Sequence, residues 1–139
     1  MRYMLDTDTC SWMIHRRTGY EGILDRCDGK RYGQVVVSAI SFAEIQFMAA
    51  NSVNAVAKFG RIVRLMMHFA IVPFEERAAQ AYAQVRLALR RSPIGPIDTL
   101  IAAHATSIGA TVVTGNERHF SRVPGLAVEN WIRRPSAKS

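Results

Sequence analysis

The sequence predicts an α/β fold in which a mostly parallel central sheet is flanked by helices. Short β-branched segments alternate with longer segments whose apolar residues recur at helical spacing. Each of three acidic residues, Asp6, Glu44 and Asp98, stands where a strand ends or a helix begins. With 139 residues and no internal repeat or linker, the chain suits one core. We predict a single domain over residues 1–132 and a basic tail over residues 133–139.

The first half of the chain alternates strands and helices. Asp8 or Thr9 is the expected cap of the first helix, and Ser41 is expected to open a later one, because these residue types accept hydrogen bonds from a helix's first turn. In the helix expected over residues 53–68, one apolar stripe is expected to face inward, formed by Val56, Phe59, Val63 and Met66. The expected strands are 3–6, 34–38 and 70–73. The first expected helix begins near residue 9, and three more are expected over 20–26, 41–50 and 53–68.

The second half contains the one loop rich in proline and glycine, residues 92–96. Gly109 is expected to close the helix that follows this loop. The expected elements are helices 75–91 and 97–108, strand 111–114, a loop over 115–123 with one helical turn, and a short strand 126–129.

Composition and charge restrict the class of protein. No apolar run is long enough to span a membrane, and we expect no signal peptide. Two cysteines without metal-ligand spacing fit a reducing cytoplasm. The net charge is +7, and 15 of the 18 basic residues are arginines, which suit phosphate geometry. This indicates a polyanionic substrate, although a basic solvated surface would have the same composition.

The acidic residues predict a metal site. The carboxyl ends of parallel strands meet at one crevice, where Asp6, Glu44 and Asp98 would repel one another unless a cation joined them. Mg²⁺ prefers such oxygen ligands, so a metal-dependent hydrolase is the leading hypothesis.

Each of these acids also has a structural interpretation. Asp6 would be a helix cap, a role that suits Asp8 better. Ser41 and Glu44 have the spacing of a capping box. Asp98 would be favoured by the dipole of its helix. The polar residues after the fourth strand, Thr114, Asn116 and Glu117, are either oxygen ligands or a turn.

The same motifs, in the same order, resemble the PIN domain. They are Leu-Asp6-Thr-Asp, Ser41-x-x-Glu44, the Asp98-x-x-Ile-Ala-Ala helix, and Val-Val-Thr114-Gly-Asn116. The ending from Arg118-His-Phe to Trp131 resembles the VapC-type toxins of bacterial toxin–antitoxin pairs. The resemblance extends over nearly the whole chain.

This resemblance implies a Mg²⁺- or Mn²⁺-dependent endoribonuclease that acts as a toxin, forms homodimers and is inhibited by a cognate VapB-like antitoxin. It assigns Asp6, Glu44 and Asp98 to the metal and Thr114 to supporting the site. Many relatives have a fourth acid near the Phe of this ending, where the present chain has Asn116 and His119. The fourth ligand is then Asn116, Glu117 or water.

Two rival functions follow from the sequence. A strand followed by Asp6-x-Asp8 also fits a haloacid-dehalogenase-like phosphatase, although no well-placed catalytic lysine or later acidic pair accompanies it. The other rival is a non-catalytic module that binds RNA or an antitoxin, although no aromatic RNA-recognition motif is visible.

Two surfaces are further candidates. Arg86 and Arg90 would share a helix face beside Arg91, as a phosphate clamp for RNA or as cations at a helix end. The apolar helices between Phe42 and Phe69 are either core or a surface for an antitoxin or a second copy.

Overall fold

The computed structural model describes residues 1–134, so residues 135–139 of the predicted tail lie outside the described part. The described residues form a five-stranded sheet and seven helices. In chain order the elements are β1 Arg2–Leu5, α1 Thr7–Ile14, α2 Glu21–Cys27, β2 Val35–Ser38, α3 Ala39–Ala50, α4 Ala55–Met66, β3 Ala70–Val72, α5 Glu76–Ala88, α6 Pro96–Ile108, β4 Ala110–Val113, α7 Glu117–Phe120 and β5 Val128–Glu129.

The sheet is parallel throughout and has the strand order β3-β2-β1-β4-β5, which confirms the predicted α/β class. The order reverses between β1 and β4, where Leu5 lies opposite Val113. At such a switch point the helices that follow the two strands leave on opposite faces of the sheet, so a crevice opens at the carboxyl ends of these strands.

The central strands are buried on both faces, as expected for a parallel sheet covered by helices. Successive residues of β1 show this clearly, because Leu5 packs in a core with α1 and α3 whereas Met4 packs in a core with α5 and α6. The strands therefore read as continuous apolar runs instead of alternating ones. The polar side chains therefore lie just beyond the carboxyl ends of the strands, at the crevice.

The cap of α1 differs from the prediction. Asp6 is the N-cap, and its Oδ1 accepts a hydrogen bond of 2.8 Å from the Thr9 amide. Asp8 and Thr9 lie inside the helix. The prediction was wrong because β1 ends at Leu5 and leaves no connecting loop, so the first residue after the strand must also cap the helix.

The cap of α3 also differs from the prediction. Ser38, the last residue of β2, accepts a 3.1 Å hydrogen bond from the Ile40 amide, and the helix begins at Ala39. Ser41 therefore lies in the first turn, where its hydroxyl accepts a 3.1 Å bond from Thr7. The capping-box interpretation of Glu44 is thus wrong, because the box requires its serine at the N-cap.

Helix α4 is shorter and turned differently than predicted. It begins at Ala55, and its inward face is formed by Ile62 and Met66 with Phe59 partly covered. Val56 and Val63 are 88% and 63% exposed, so the predicted inward stripe is wrong at both. The apolar residues extend around more than one face of this helix, which makes the spacing alone ambiguous.

Helix α5 ends at Ala88, three residues before the predicted end, so Arg90 and Arg91 lie in the turn beyond it. Helix α6 ends at Gly109 as predicted, and Gly109 has a φ of 65° in the left-handed region. The two helices pack together as a hairpin, which places the first turn of α6 beside the last turn of α5.

The C-terminal part of the described chain packs onto α2. Trp131 is buried, and the Arg133 amide donates a 2.8 Å hydrogen bond to the Gly19 carbonyl. A Cβ at Gly22 would lie 2.5 Å from the Trp131 carbonyl oxygen, so only glycine fits there. Within residues 1–134, no helix has the length and apolar character that crossing a membrane requires.

Candidate functional site

Asp6 and Thr114 lie side by side at the switch point of the sheet. Each is the first residue after its strand, and the Asp6 amide donates a 3.0 Å hydrogen bond to the Val113 carbonyl. The Thr114 amide in turn donates to the Glu129 carbonyl on β5. Strand register thus fixes both backbones at the crevice, where α/β folds bind ligands.

The carboxyl group of Asp6 is buried, with 2% of the residue exposed. Burial raises its pKa to about 6, although hydrogen bonds from Thr114 and Thr9 oppose the shift and the charge of Asp8 adds to it. An ionised carboxylate is costly at this position unless a positive charge joins it.

Asp8 lies at the site, although the sequence predicts it as a helix cap or as part of an Asp6-x-Asp8 motif and does not assign it to the metal. The charge of its carboxylate is the smallest of the causes that raise the pKa of Asp6 and of Asp98, so Asp8 lies near both. A Cβ on Gly115 would lie 3.2 Å from Asp8 Oδ2, so glycine allows the carboxylate to approach the turn after β4. The Asp-x-Asp spacing and this glycine were the available signals, but a capping role for Asp8 concealed them.

Glu44 is brought to the site by the contact between α1 and α3. The bond between the Thr7 and Ser41 hydroxyls holds the first turns of these helices together, and Glu44 lies almost one turn further along α3. Within the described residues, its side chain makes no hydrogen bond or ion pair that would give it a structural role.

Asp98 lies in the first turn of α6, and its pKa is raised by burial and by the charge of Asp8. His119 lowers that pKa through a contact of 3.4 Å between its Nδ1 and Asp98 Oδ2. This histidine was not predicted as part of the site, because its position on α7 is set by the short turn after β4.

Three of these carboxylates line one open cleft of about 620 Å³, namely Asp8, Glu44 and Asp98. Lys58 lines the same cleft but forms no ion pair with them. Asp6 lies at the end of β1 that leads into this cleft. Below, "acidic cleft" means the cleft of Asp8, Glu44 and Asp98 together with Asp6.

The acidic cleft suits a hard divalent cation in donor type and in charge. Its side chains offer oxygen atoms, and two of them carry raised pKa values in part because Asp8 repels them. The side chains are spread more widely than one ion requires, since no three His, Cys, Asp or Glu groups within residues 1–134 are placed to ligate an ion together. These side chains would have to rotate toward an ion before they could ligate it together.

The residues after Thr114 form a turn that leads into α7. Asn116 precedes the helix, and its backbone N–H donates a 2.9 Å hydrogen bond to Thr114 Oγ1. Glu117 is exposed, and its Oε1 accepts a 3.3 Å bond from Asn130 Nδ2. Asn116 and Glu117 therefore flank the site without lining the acidic cleft.

The predicted arginine cluster is only partly brought together. Arg86 and Arg90 line a second cleft beside the first turn of α6, whereas Arg91 does not.

Comparisons with known proteins agree with this geometry. A family model described as the PIN domain matches residues 3–126. The tRNA(fMet)-specific endonuclease VapC of Salmonella typhimurium is 32% identical over 94% of this chain and 98% of its own length. Ribonuclease VapC2 of Rickettsia felis is 31% identical over 94% and 98%.

Solved structures give the same result. The DNA-bound VapBC complex of Salmonella typhimurium has a chain that superposes with a TM-score of 0.87 at 32% identity, covering 94% of this chain and 98% of that chain. VapBC2 of Rickettsia felis, bound to a promoter DNA fragment, has a TM-score of 0.85 at 30% identity, with 94% and 99% covered.

Proposed function

The chain belongs to the PIN domain family and to its VapC-type members, and from this premise we propose that it is a divalent-metal-dependent endoribonuclease. In this proposal it acts as the toxin of a toxin–antitoxin pair and is inhibited by a cognate VapB-like antitoxin. The names of its relatives, ribonuclease and endonuclease, support the activity.

The observation that carries the proposal is the acidic cleft itself. A buried carboxyl at the end of β1 and three more that line one opening lie at the switch point of a parallel sheet. Burial and, to a smaller degree, the charge of Asp8 raise the pKa of Asp6 and Asp98. Such a cluster destabilises the fold, so a bound cation and a polyanionic substrate are its simplest explanation.

Asp6, Glu44 and Asp98 would hold Mg²⁺ or Mn²⁺, with Asp8 beside them. An ion held by these residues would supply Lewis-acid polarisation of the scissile phosphate and a nucleophilic water at neutral pH. Thr114 and the Thr9 amide fix the orientation of the Asp6 carboxyl.

The remaining groups would tune this arrangement. His119 holds the carboxylate of Asp98 from the α7 side. Asn116, Glu117 or a water would complete the ligand set, and the position of the two side chains outside the acidic cleft favours water.

RNA is the proposed substrate because the relatives are named as RNA-cleaving enzymes and because this chain is basic around an acidic site. Long-range attraction would bring a polyanion to the surface, and the metal would then offset the local repulsion between its phosphate and the carboxylates.

The proposed protein partners are a VapB-like antitoxin and a second copy of the chain. The solved relatives are VapBC complexes. Here a groove between α1, α2 and α4 has an apolar floor that includes Met13 and Leu65 and a basic rim, which suits an amphipathic acidic segment. Its basic side chains are Arg16, Arg61, Arg64 and His68.

A cytoplasmic location forms part of the same proposal. Cys10 and Cys27 are both free thiols, and burial raises the pKa of the Cys27 thiol to about 11, which keeps it protonated and unreactive. Free thiols of this kind suit a reducing compartment.

The PIN match over residues 3–126 replaces the phosphatase hypothesis based on Asp6 and Asp8. A measurement of RNA cleavage distinguishes the nuclease hypothesis from the alternative of a non-catalytic module that binds RNA or an antitoxin. Wild-type protein should cleave single-stranded RNA with Mg²⁺ or Mn²⁺ and fail to do so in EDTA, and Asp98→Asn should be inactive with either metal.

Asp28→Asn is the matched control, because Asp28 is exposed at the end of α2, away from the acidic cleft. RNA binding without cleavage by the wild-type protein under all metal conditions would leave the non-catalytic module as the better account.

A further inference from the structure

A second cleft, of about 420 Å³, lies between the end of α5 and the first turn of α6. Its walls include Tyr82, Arg86 and Arg90 on one side and Pro96 and Thr99 on the other. Among the described residues that line it, none is a carboxylate. The "basic cleft" below means the cleft formed by these five residues.

The polar groups of the basic cleft are arranged as hydrogen-bond donors. Arg86 Nη1 donates to the Tyr82 hydroxyl oxygen at 3.2 Å, and its guanidinium carbon lies 5.9 Å from the ring centroid. Because the hydroxyl accepts from the arginine, its own proton is directed elsewhere. Arg90 Nη1 donates to the Leu87 carbonyl at 3.0 Å.

Most of the donors of these two side chains remain free. A guanidinium has five N–H groups, and each arginine uses one of them in a hydrogen bond within the described residues. Within residues 1–134, neither Arg86 nor Arg90 pairs with a carboxylate. Two free guanidinium forks and a hydroxyl proton suit the oxygen atoms of a phosphate.

The acidic and basic clefts share one wall. Ile97 and Asp98 line the acidic cleft, whereas Pro96 and Thr99 line the basic cleft. The first turn of α6 therefore separates the carboxylates from the arginines. A strand whose scissile phosphate lies at Asp98 would reach the basic cleft by crossing this single turn.

We propose that the basic cleft binds a backbone phosphate of the RNA strand that flanks the scissile phosphate, through Arg86, Arg90 and the Tyr82 hydroxyl. This inference rests on the proposed nuclease function and adds a positioning subsite to it. Arg91, which does not line the cleft, has no part in it.

The opposing explanation is that both arginines only stabilise the end of α5. A cation in the last turn is favoured by the helix dipole, and Arg90 does satisfy one terminal carbonyl. This explanation predicts an effect of substitution on stability and none on the salt dependence of RNA binding, so the two can be separated.

The test measures binding of a labelled single-stranded RNA to Asp98→Asn protein, which is not expected to cut it, over a salt series from about 50 to 200 mM. Arg86→Ala with Arg90→Ala should make the slope of log affinity against log salt shallower by about 0.7 for each phosphate that is no longer neutralised. Tyr82→Phe should weaken binding without changing the slope, because it removes no charge.

Arg2→Ala with Arg31→Ala is the matched control, since it also removes two exposed charges, from the surface where β1 begins, at the opposite end of that strand from the acidic cleft. Its slope should stay close to that of the parent protein. Arg86→Lys with Arg90→Lys should restore the slope but only part of the affinity, because lysine lacks the planar fork.

Several outcomes would overturn the subsite. The first two are an unchanged slope in the Arg86–Arg90 double variant and an equal change of slope in the control variant. The other two come from measuring the binding of inorganic phosphate and of antitoxin to the same double variant. Loss of phosphate binding with RNA binding unaffected, or loss of antitoxin binding with the RNA slope unaffected, would each overturn the subsite. Absence of cleavage by the wild-type protein would refute the nuclease proposal instead, and the binding slope would still decide the fate of the subsite.

Discussion

Asp6 has two roles whose energetic consequences oppose each other. As the N-cap of α1 it stabilises the helix through its bond to the Thr9 amide. As a buried carboxylate with a pKa raised to about 6, it destabilises the folded state whenever it is ionised. The residue therefore links folding, pH and cation binding at one point of the chain.

We predict that Asp6→Asn stabilises the metal-free protein at pH 7. Asparagine caps helices as well as aspartate does, so only the cost of burying a charge is removed. The raised pKa means that the folded state binds more protons between about pH 4 and 6. The free energy of unfolding of the wild type should therefore fall as pH rises through that window, by about 2–3 kcal/mol.

Urea unfolding in EDTA across pH 4–8 measures this dependence. The Asp6→Asn variant should lose that component of the slope, and Asp28→Asn should keep it. A wild-type slope that Asp6→Asn does not alter would show that Asp6 is not the buried titrating group.

Glu44→Gln distinguishes a ligand from a structural residue. Because Ser38 caps α3, Glu44 has no capping role to lose, and the free energy of unfolding should change by less than about 0.5 kcal/mol. Mg²⁺ affinity and RNA cleavage should fall at least tenfold. Unchanged Mg²⁺ affinity together with unchanged cleavage would remove Glu44 from the site.

The sequence predicted which carboxylates face the crevice better than it predicted their local surroundings. Position after a buried strand was enough to select Asp6, since strand ends share an edge. The side of α1 that carries Asp8 could not be predicted, because it depends on the missing Cβ at Gly115 and on the placement of α6. The contact of His119 with Asp98 depends on tertiary packing in the same way.

Among the elements, the junction of β2 and α3 connects the sheet to the site. The Ser38 hydroxyl both caps α3 and forms a 2.8 Å hydrogen bond with His104 Nδ1 on α6. Burial lowers the pKa of His104, so this ring is neutral at pH 7. Ser38 thus ties together the two helices that carry Glu44 and Asp98.

Ser38→Ala should destabilise the protein by about 2–3 kcal/mol, because it removes a cap and leaves a buried histidine nitrogen without its partner. Ser41→Ala should cost less, about 1 kcal/mol, since it removes one hydroxyl pair. Thermal or urea unfolding of both variants compares them directly. A larger loss for Ser41→Ala would restore the capping box that the structure replaces with Ser38.

The order and type of elements could be predicted because hydrophobic spacing and breakers dominate them. The ends of the elements could not be predicted. Because no loop separates β1 from α1 or β2 from α3, the residue that follows β1 caps α1 and the last residue of β2 caps α3. In α4 the apolar residues cover more than one face, so spacing did not reveal that Val56 and Val63 face solvent.

Considered as a whole, the molecule leaves an apolar surface uncovered on α4 and its flanks. Val53, Val56, Val63 and Met67 are all well exposed there, which is more than isolated surface apolar residues require. We expect a partner, a second copy or the antitoxin, to cover this surface.

Val56→Lys with Val63→Lys should weaken self-association or antitoxin binding at least tenfold and leave the melting temperature of the isolated chain nearly unchanged, because both side chains are already solvated. Sedimentation of the protein with and without antitoxin measures the two kinds of association, and thermal unfolding measures the melting temperature. Leu87→Lys, on exposed α5 surface, is the control. Unaltered assembly of the double variant would exclude this face.

The proposed chemistry depends above all on Asp6, Glu44 and Asp98 serving one divalent cation, and calorimetric titration of Mg²⁺ or Mn²⁺ into the protein measures this binding without any need for turnover. We predict saturable binding to the wild type and to Asp28→Asn, and at least tenfold weaker binding to Asp6→Asn, Glu44→Gln and Asp98→Asn alike. Equal affinity across all five proteins, or no binding by the wild type at concentrations that support cleavage, would refute the shared cation site.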